Sequence, residues 1–218
     1  MIPLYDSNPT WRKPVVTITL IAINFAVFGL QLDAGRDFNR VLWQYGAIPA
    51  EIINSVDMVP YNPLPVRSTL VSSLFLHGGF MHLAGNMLFL WIFGNNVEDV
   101  LGRVRFVIFY LACGLAAGLF YIAQNPDSTV PLVGASGAIA GVLAAYVLAF
   151  PKARVYTLFW FIIFIRIIPL PAWLVIGLWF LIQLGNLGAG GQVAWIAHVG
   201  GFLTGLVLWP IFRIRWKR

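Results

Sequence analysis

Four polar side chains sit inside apolar runs of this sequence, and their types suit nucleophilic catalysis. The run HGGFMHLAGNMLFLWIFG carries His82 and Asn86, GASGAIAG carries Ser136 among small residues, and AWIAHVGGFLTG carries His198. A spacing of four puts His82 and Asn86 on one helix face, about one turn apart. A serine hydroxyl becomes a nucleophile when a histidine within ~2.6–3.2 Å takes its proton. The chemistry therefore depends on whether the fold brings His198 to Ser136.

Composition decides the solvent in which that must happen. Of the 218 residues, 60% are apolar and 10% charged, with a mean hydropathy of +0.83. A soluble domain carries roughly 45–50% apolar and about 25% charged residues, so this chain requires a lipid bilayer. The formal charge of +6 does not indicate nucleic acid, because the basic residues lie at the ends of apolar runs instead of along one polar face. The single Cys113 lies inside an apolar run, where it is a small packing residue. The opening MIPLYDSNPTWRKP has no small-residue cleavage site, so the first helix is expected to be retained.

A bilayer core needs about 20 apolar residues per helical crossing. Six runs qualify, at 15–32, 81–96, 104–123, 133–150, 170–187 and 193–212. The expected fold is an all-α membrane protein, a six-helix bundle forming one domain over 1–218. A long external loop spans about 33–76 and carries the amphipathic cluster Phe38, Val41, Leu42, Trp43 and Tyr45. The segment at about 154–169 is broken up by Arg154, Arg166 and Pro169, and reads as interfacial or re-entrant. Six spans place Arg12, Lys13, Arg103, Arg105, Lys152, Arg154, Arg166, Arg213, Arg215, Lys217 and Arg218 inside. Only Arg36, Arg40 and Arg67 fall outside. That asymmetry follows the positive-inside rule and puts both termini in the cytoplasm; a seventh crossing would reverse the C-terminus.

In this topology Ser136, His198, His82 and Asn86 share a layer, roughly 5–15 Å below the outer surface by helical rise. Gly137 and Gly141 form a small-xxx-small ridge on the fourth span. Gly201 and Gly205 form another on the sixth, on the same face as His198. Such ridges allow helix backbones to approach closely. Taken singly, each feature has a structural explanation: a back-bonded serine, a packing glycine, a satisfied interhelical histidine. Their shared depth favours one site. Zinc would find too few ligands, since no carboxylate lies in the outer half of any span and no HExxH is present. No cofactor is indicated.

With these motifs in view, the sequence resembles the rhomboid family of intramembrane serine proteases. The resemblance runs from YGAIPAE through SLFLHGGFMHLAGNMLFL, NNVEDVLG and GASGAIAGVLAAY to AHVGGFLTG. It implies that Ser136 is the nucleophile and His198 the general base. It also implies that Asn86, His82 and the Ser136 backbone N–H stabilise the oxyanion. The implied reaction is cleavage of transmembrane protein substrates in or beside their membrane segments. No aspartate is available to orient His198, so a Ser–His dyad is expected, with packing holding the ring. Two departures stand out: Ala140 replaces an aromatic that stacks on the histidine in some members, and the Trp-Arg pair found in the first loop of some members is not evident, with Arg67 the only nearby candidate. Glu98 reads as a helix-end ion pair with Arg103 or Arg105, and His77 as a supporting residue. The fifth span with Gly188 to Gly191 is expected to act as a lateral gate. Six spans with short ends suit a prokaryotic plasma membrane, with an organelle membrane as the open alternative. The competing readings are a catalytically inactive relative that binds transmembrane helices, and a transporter using the polar cluster.

Overall fold

The computed structural model of the chain describes residues 1–58, 63–161, 164–188 and 193–213, without the side chains of 161 and 164. The C-terminal Arg215, Lys217 and Arg218 lie outside the described residues, as does 189–191 of the expected gate. The elements run in the order β1 (Ile2–Asp6), α1 (Val15–Asp33), α2 (Phe38–Tyr45), α3 (Pro49–Asn54), α4 (Thr69–Ser72), α5 (Phe80–Phe89), α6 (Asn95–Leu101), α7 (Arg103–Gln124), α8 (Ser136–Ala149), β2 (Arg154–Phe161), β3 (Phe164–Pro171), α9 (Ala172–Gly185) and α10 (Trp195–Phe212). A π-helical turn at Leu90–Gly94 joins α5 to α6.

The protein is mostly helical, as its hydropathy requires. By length and composition α1, α7 and α10 can each cross a bilayer. A fourth crossing arises if the pair Val66–Phe75 and Phe80–Leu101, bent by 76°, counts as one span. Helices α8 and α9 are apolar but shorter. A physical reason for the short α8 is its surroundings. It is buried on every side from Gly137 to Tyr146 and packs chiefly on α7 and α10. A helix that is apolar all round belongs in a core. Enclosed by other helices, it need not match the lipid thickness itself.

A three-stranded antiparallel sheet, ordered β1–β2–β3, was not anticipated by the all-helical expectation. The interfacial or re-entrant segment expected at about 154–169 is its hairpin, with Tyr156 opposite Pro169 and Arg154 opposite Pro171. The run RVYTLFWF is rich in β-branched and aromatic residues, which favour strands. The prolines fall on β3, an edge strand, where a missing N–H is tolerated. Val155 and Thr157 alternate into the interior. Tyr146 at the base of α8 donates a hydrogen bond to Asp6 of β1, and Asn96 donates to the same carboxylate at 3.1 Å. The sheet is thereby fixed to the ends of α6 and α8.

The long connection after α1 carries short helices of its own. Its amphipathic cluster forms α2, and Ala47 pairs with Leu132 through two backbone hydrogen bonds of 3.0 and 2.8 Å. Glu98 does not form the expected ion pair. Its carboxylate accepts from the backbone N–H of Val16 at 3.0 Å and of Thr17 at 2.8 Å, and from the Thr17 hydroxyl at 2.8 Å. It thus caps α1 from another helix, satisfying donors that every helix start leaves open. Replacing Glu98 by alanine should cost about 2–3 kcal/mol, since buried donors lose a charged acceptor. Thermal unfolding of the purified variant checks this; an unchanged midpoint would refute the capping role.

Candidate active site

Ser136 is the first residue of α8, and His198 lies in the first turn of α10. The two side chains meet: His198 Nε2 is 2.8 Å from Ser136 Oγ. This contact rests on the glycine ridges. A Cβ added at Gly201 would overlap the Gly137 carbonyl oxygen, and one at Gly205 would overlap that of Gly141. The two helices therefore touch backbone to backbone, one turn below the Ser136–His198 contact.

The other ring nitrogen has a partner that the sequence reading missed. His198 Nδ1 lies 2.8 Å from Gln183 Oε1, and Gln183 Nε2 donates to the Trp179 carbonyl oxygen at 2.8 Å. A carbonyl only accepts, so the amide NH₂ of Gln183 must face Trp179 and its oxygen must face His198. The proton of His198 then sits on Nδ1, leaving Nε2 bare to accept the Ser136 proton. Gln183 is only 3% exposed. It was legible in one respect, being the sole polar residue in AWLVIGLWFLIQLG, and intramembrane polar residues are rarely idle. The aromatic missing at Ala140 is supplied from elsewhere: the Trp179 ring lies 6.0 Å from His198, tilted by 31°, and Trp195 meets it edge-on at 6.2 Å.

His82 and Asn86 approach from α5. Gly134, two residues before Ser136, has φ +120°, and a Cβ there would fall 2.8 Å from His82 Nε2 and 3.6 Å from Asn86 Nδ2. A side chain at 134 would fill the space that these groups face, so both conformation and room require glycine. The Gly78 N–H points to His82 Nδ1 at 3.4 Å, which leaves the ring proton on Nε2, toward Gly134. Asn86 Nδ2 is buried and has no hydrogen-bond partner. Two donors thus converge beside the α8 N-terminus, where the Ser136 N–H is also free of helix bonding. His77 is fully buried, with its ring 5.1 Å from that of His82. Its backbone is held in both directions by the Gln31 amide, at 3.0 and 3.1 Å. Gln31, in the last turn of α1, is a second polar residue that sequence reasoning passed over. Among the described residues no group of three or more metal-ligating side chains is found.

Residues 66–215 match the Rhomboid domain. This chain belongs to the rhomboid family. It is similar to Rhomboid protein 1, mitochondrial, of Saccharomyces cerevisiae, with 30% identity over 216 residues, covering 94% of this chain and 55% of that protein. It is also similar to Rhomboid protease GluP of Bacillus subtilis, with 34% identity over 134 residues, 61% of this chain and 24% of that one. A third relative is Presenilin-associated rhomboid-like protein, mitochondrial, of Mus musculus, with 31% identity over 120 residues, 54% of this chain and 32% of that one. The chain therefore spans about half or less of the length of these relatives. The expected prokaryotic plasma membrane is corrected by them: the relative matched across 94% of this chain is mitochondrial by name, as is the mouse protein.

Gln183 should act as a positioning residue. Gln183→Leu removes the acceptor that holds the Nδ1 proton and is expected to lower kcat about tenfold with KM little changed, the worth of one hydrogen bond. Gln183→Glu restores an acceptor, and its negative charge, by favouring the protonated ring, should move the acidic limb of the pH–rate profile to higher pH. Equal kcat and an identical profile in both variants would show that the contact only packs.

Proposed function

We propose that this rhomboid-family chain is an intramembrane serine endopeptidase, built on six membrane-crossing helices, that cleaves transmembrane proteins in or beside their membrane segments. The observation that carries the reading is the 2.8 Å contact of Ser136 Oγ with a His198 whose far nitrogen is tied to Gln183. Ser136 Oγ attacks the scissile carbonyl while His198 Nε2 takes its proton. The carbonyl oxygen becomes an oxyanion, which the Ser136 N–H, Asn86 Nδ2 and His82 Nε2–H stabilise. Each such preorganised donor is typically worth about 2.7–4 kcal/mol of barrier. Collapse expels the amine, which receives the proton from His198, and leaves an acyl-Ser136 ester. Water, deprotonated by His198, then hydrolyses that ester and restores both residues.

A helical substrate hides its carbonyls in hydrogen bonds, so it must unwind locally before attack. Glycine or proline near the cut and a small residue before it should favour cleavage. The polar ring of the site lies at one end of α5, α8 and α10, which suits access from one face of the membrane.

The test is cleavage of a single-pass membrane protein by the purified chain in detergent, together with a serine-directed fluorophosphonate. Cleavage, and mass-spectrometric labelling confined to Ser136, are the expected results. A folded wild type that neither cleaves any of several substrates nor takes the label would replace this reading with that of an inactive relative binding transmembrane helices.

A further inference from the structure

At the end of α7 remote from Ser136, the approach to α1 and the start of α7 enclose a surface cavity of about 300 Å³. Arg12, Lys13 and Arg103 line it with Glu98, Asp99 and Val104. The two carboxylates are already committed. Glu98 caps α1, and Asp99 accepts from the backbone N–H of Trp11 at 2.8 Å and of Arg12 at 3.1 Å. The three cationic side chains are exposed, and among the described residues none of them has an ion pair or a side-chain hydrogen bond. Three cations thus face two carboxylates around one cavity, and neither carboxylate is ion-paired with Arg12, Lys13 or Arg103, which leaves the lining with a net positive formal charge. Helix α7 adds to the positive potential, because it starts at Arg103, after Gly102, with no side-chain cap and no acidic residue in its first turn.

The surface beside this cavity is apolar. Val15 and Ile18 open α1 and are 42% and 48% exposed, and Val104 and Ile108 open α7 at 73% and 51%. Both helices are long and apolar enough to cross a bilayer, so these side chains face acyl chains where the spans begin. A soluble anion would make no use of that surface.

We infer that the Arg12–Lys13–Arg103 cavity binds the headgroup phosphate of an anionic phospholipid whose acyl chains lie against the first turns of α1 and α7. The lipid bridges the segment before α1 to α7, next to the backbone tether already made by Asp99. It thereby supports α1, whose far end holds the His77 bend through Gln31.

The test is native mass spectrometry of the full chain in detergent, titrated with phosphatidylglycerol, phosphatidylcholine or inorganic phosphate. Wild type is compared with R12Q/K13Q/R103Q and with R36Q/R40Q/R67Q, which removes the same charge elsewhere. Wild type should retain phosphatidylglycerol in preference to phosphatidylcholine. Each basic residue near a membrane surface contributes about fivefold in affinity, so the first triple variant should lose about a hundredfold; the second should stay within about twofold. The Asp99 and Glu98 bonds go to backbone N–H groups and the Thr17 hydroxyl, none of which the variant changes, so thermal unfolding in lipid-free detergent should not change. R103Q alone, expected to lose about fivefold, decides the matter if the triple variant does not fold. Equal losses in the two triples, or none in the first, would overturn the site. Displacement of phosphatidylglycerol by an equal concentration of inorganic phosphate would overturn the lipid as its occupant.

Discussion

His198→Ala should lower kcat for cleavage of a single-pass substrate by about 10²–10⁴-fold, the range that a positioned general base contributes. Ser136→Ala should abolish acylation altogether, because among the described residues no other hydroxyl is held against His198. The two losses should not add, since the proton leaves Ser136 only by way of His198 Nε2. Stability is expected to respond differently. Ser136 stands at a helix start and its replacement by alanine removes no packing, so the unfolding midpoint should hardly move. His198 packs among Trp179, Trp195 and Gln183, so its truncation leaves the Gln183 oxygen without a partner and should lower the midpoint modestly. Measuring kcat, KM and the midpoint for wild type and each variant separates these effects. Cleavage that survives Ser136→Ala at a rate near wild type would remove Ser136 as the nucleophile. Survival in His198→Ala alone would leave the nucleophile but assign its activation to another group.

The pairing of Ser136 with His198 was legible because both lie in apolar runs next to glycine ridges, and glycine at i+3 and i+7 from a histidine fixes which face meets the neighbouring helix. Gly137, Gly141, Gly201 and Gly205 make those contacts. The placement of His82 and Asn86 on one face of α5 followed from helical spacing, whereas their convergence on Gly134 is a contact between elements that the spacing does not give. Gln183 and Gln31 were harder to see. Each is a lone amide in an apolar helix, and nothing local says which distant group it will meet; one finds a side chain on α10 and the other the backbone at His77. Glu98 was read against its sequence neighbours Arg103 and Arg105, whereas its partner is the start of α1, far away in sequence. The hairpin at 154–171 was hidden by the assumption that an apolar segment between two spans must be helical or interfacial. Its β-branched residues were the available signal, and its prolines were read as breaks when an edge strand accommodates them. Long-range partners and edge positions are tertiary facts, and periodicity carries no information about either.

The glycine contact makes the second large prediction, because it ties helix packing directly to reaction geometry. In a bilayer helices gain little from the hydrophobic effect on meeting, so close backbone packing must hold them. Gly201 lies three residues after His198, and Gly137 follows Ser136, so the contact sits directly beneath the dyad. Gly201→Ala places a methyl group where the Gly137 carbonyl oxygen already is. Backbone cannot rotate aside as a side chain can, so α8 and α10 must separate, by about 1 Å if the contact is to relax. A misplacement of that size can cost about 10²-fold in rate. The expected result is a kcat reduced about 10²-fold with KM nearly unchanged, and slower fluorophosphonate labelling of Ser136 in proportion. The overpacked contact should also cost about 1–3 kcal/mol of stability. Gly177→Ala on α9 is the matched control, since a Cβ there meets nothing within 4 Å; it should keep wild-type kcat and labelling. If Gly201→Ala lowered stability but left labelling of Ser136 at the wild-type rate, the dyad distance would not depend on this crossing, and the rigid coupling of α8 to α10 would have to be abandoned.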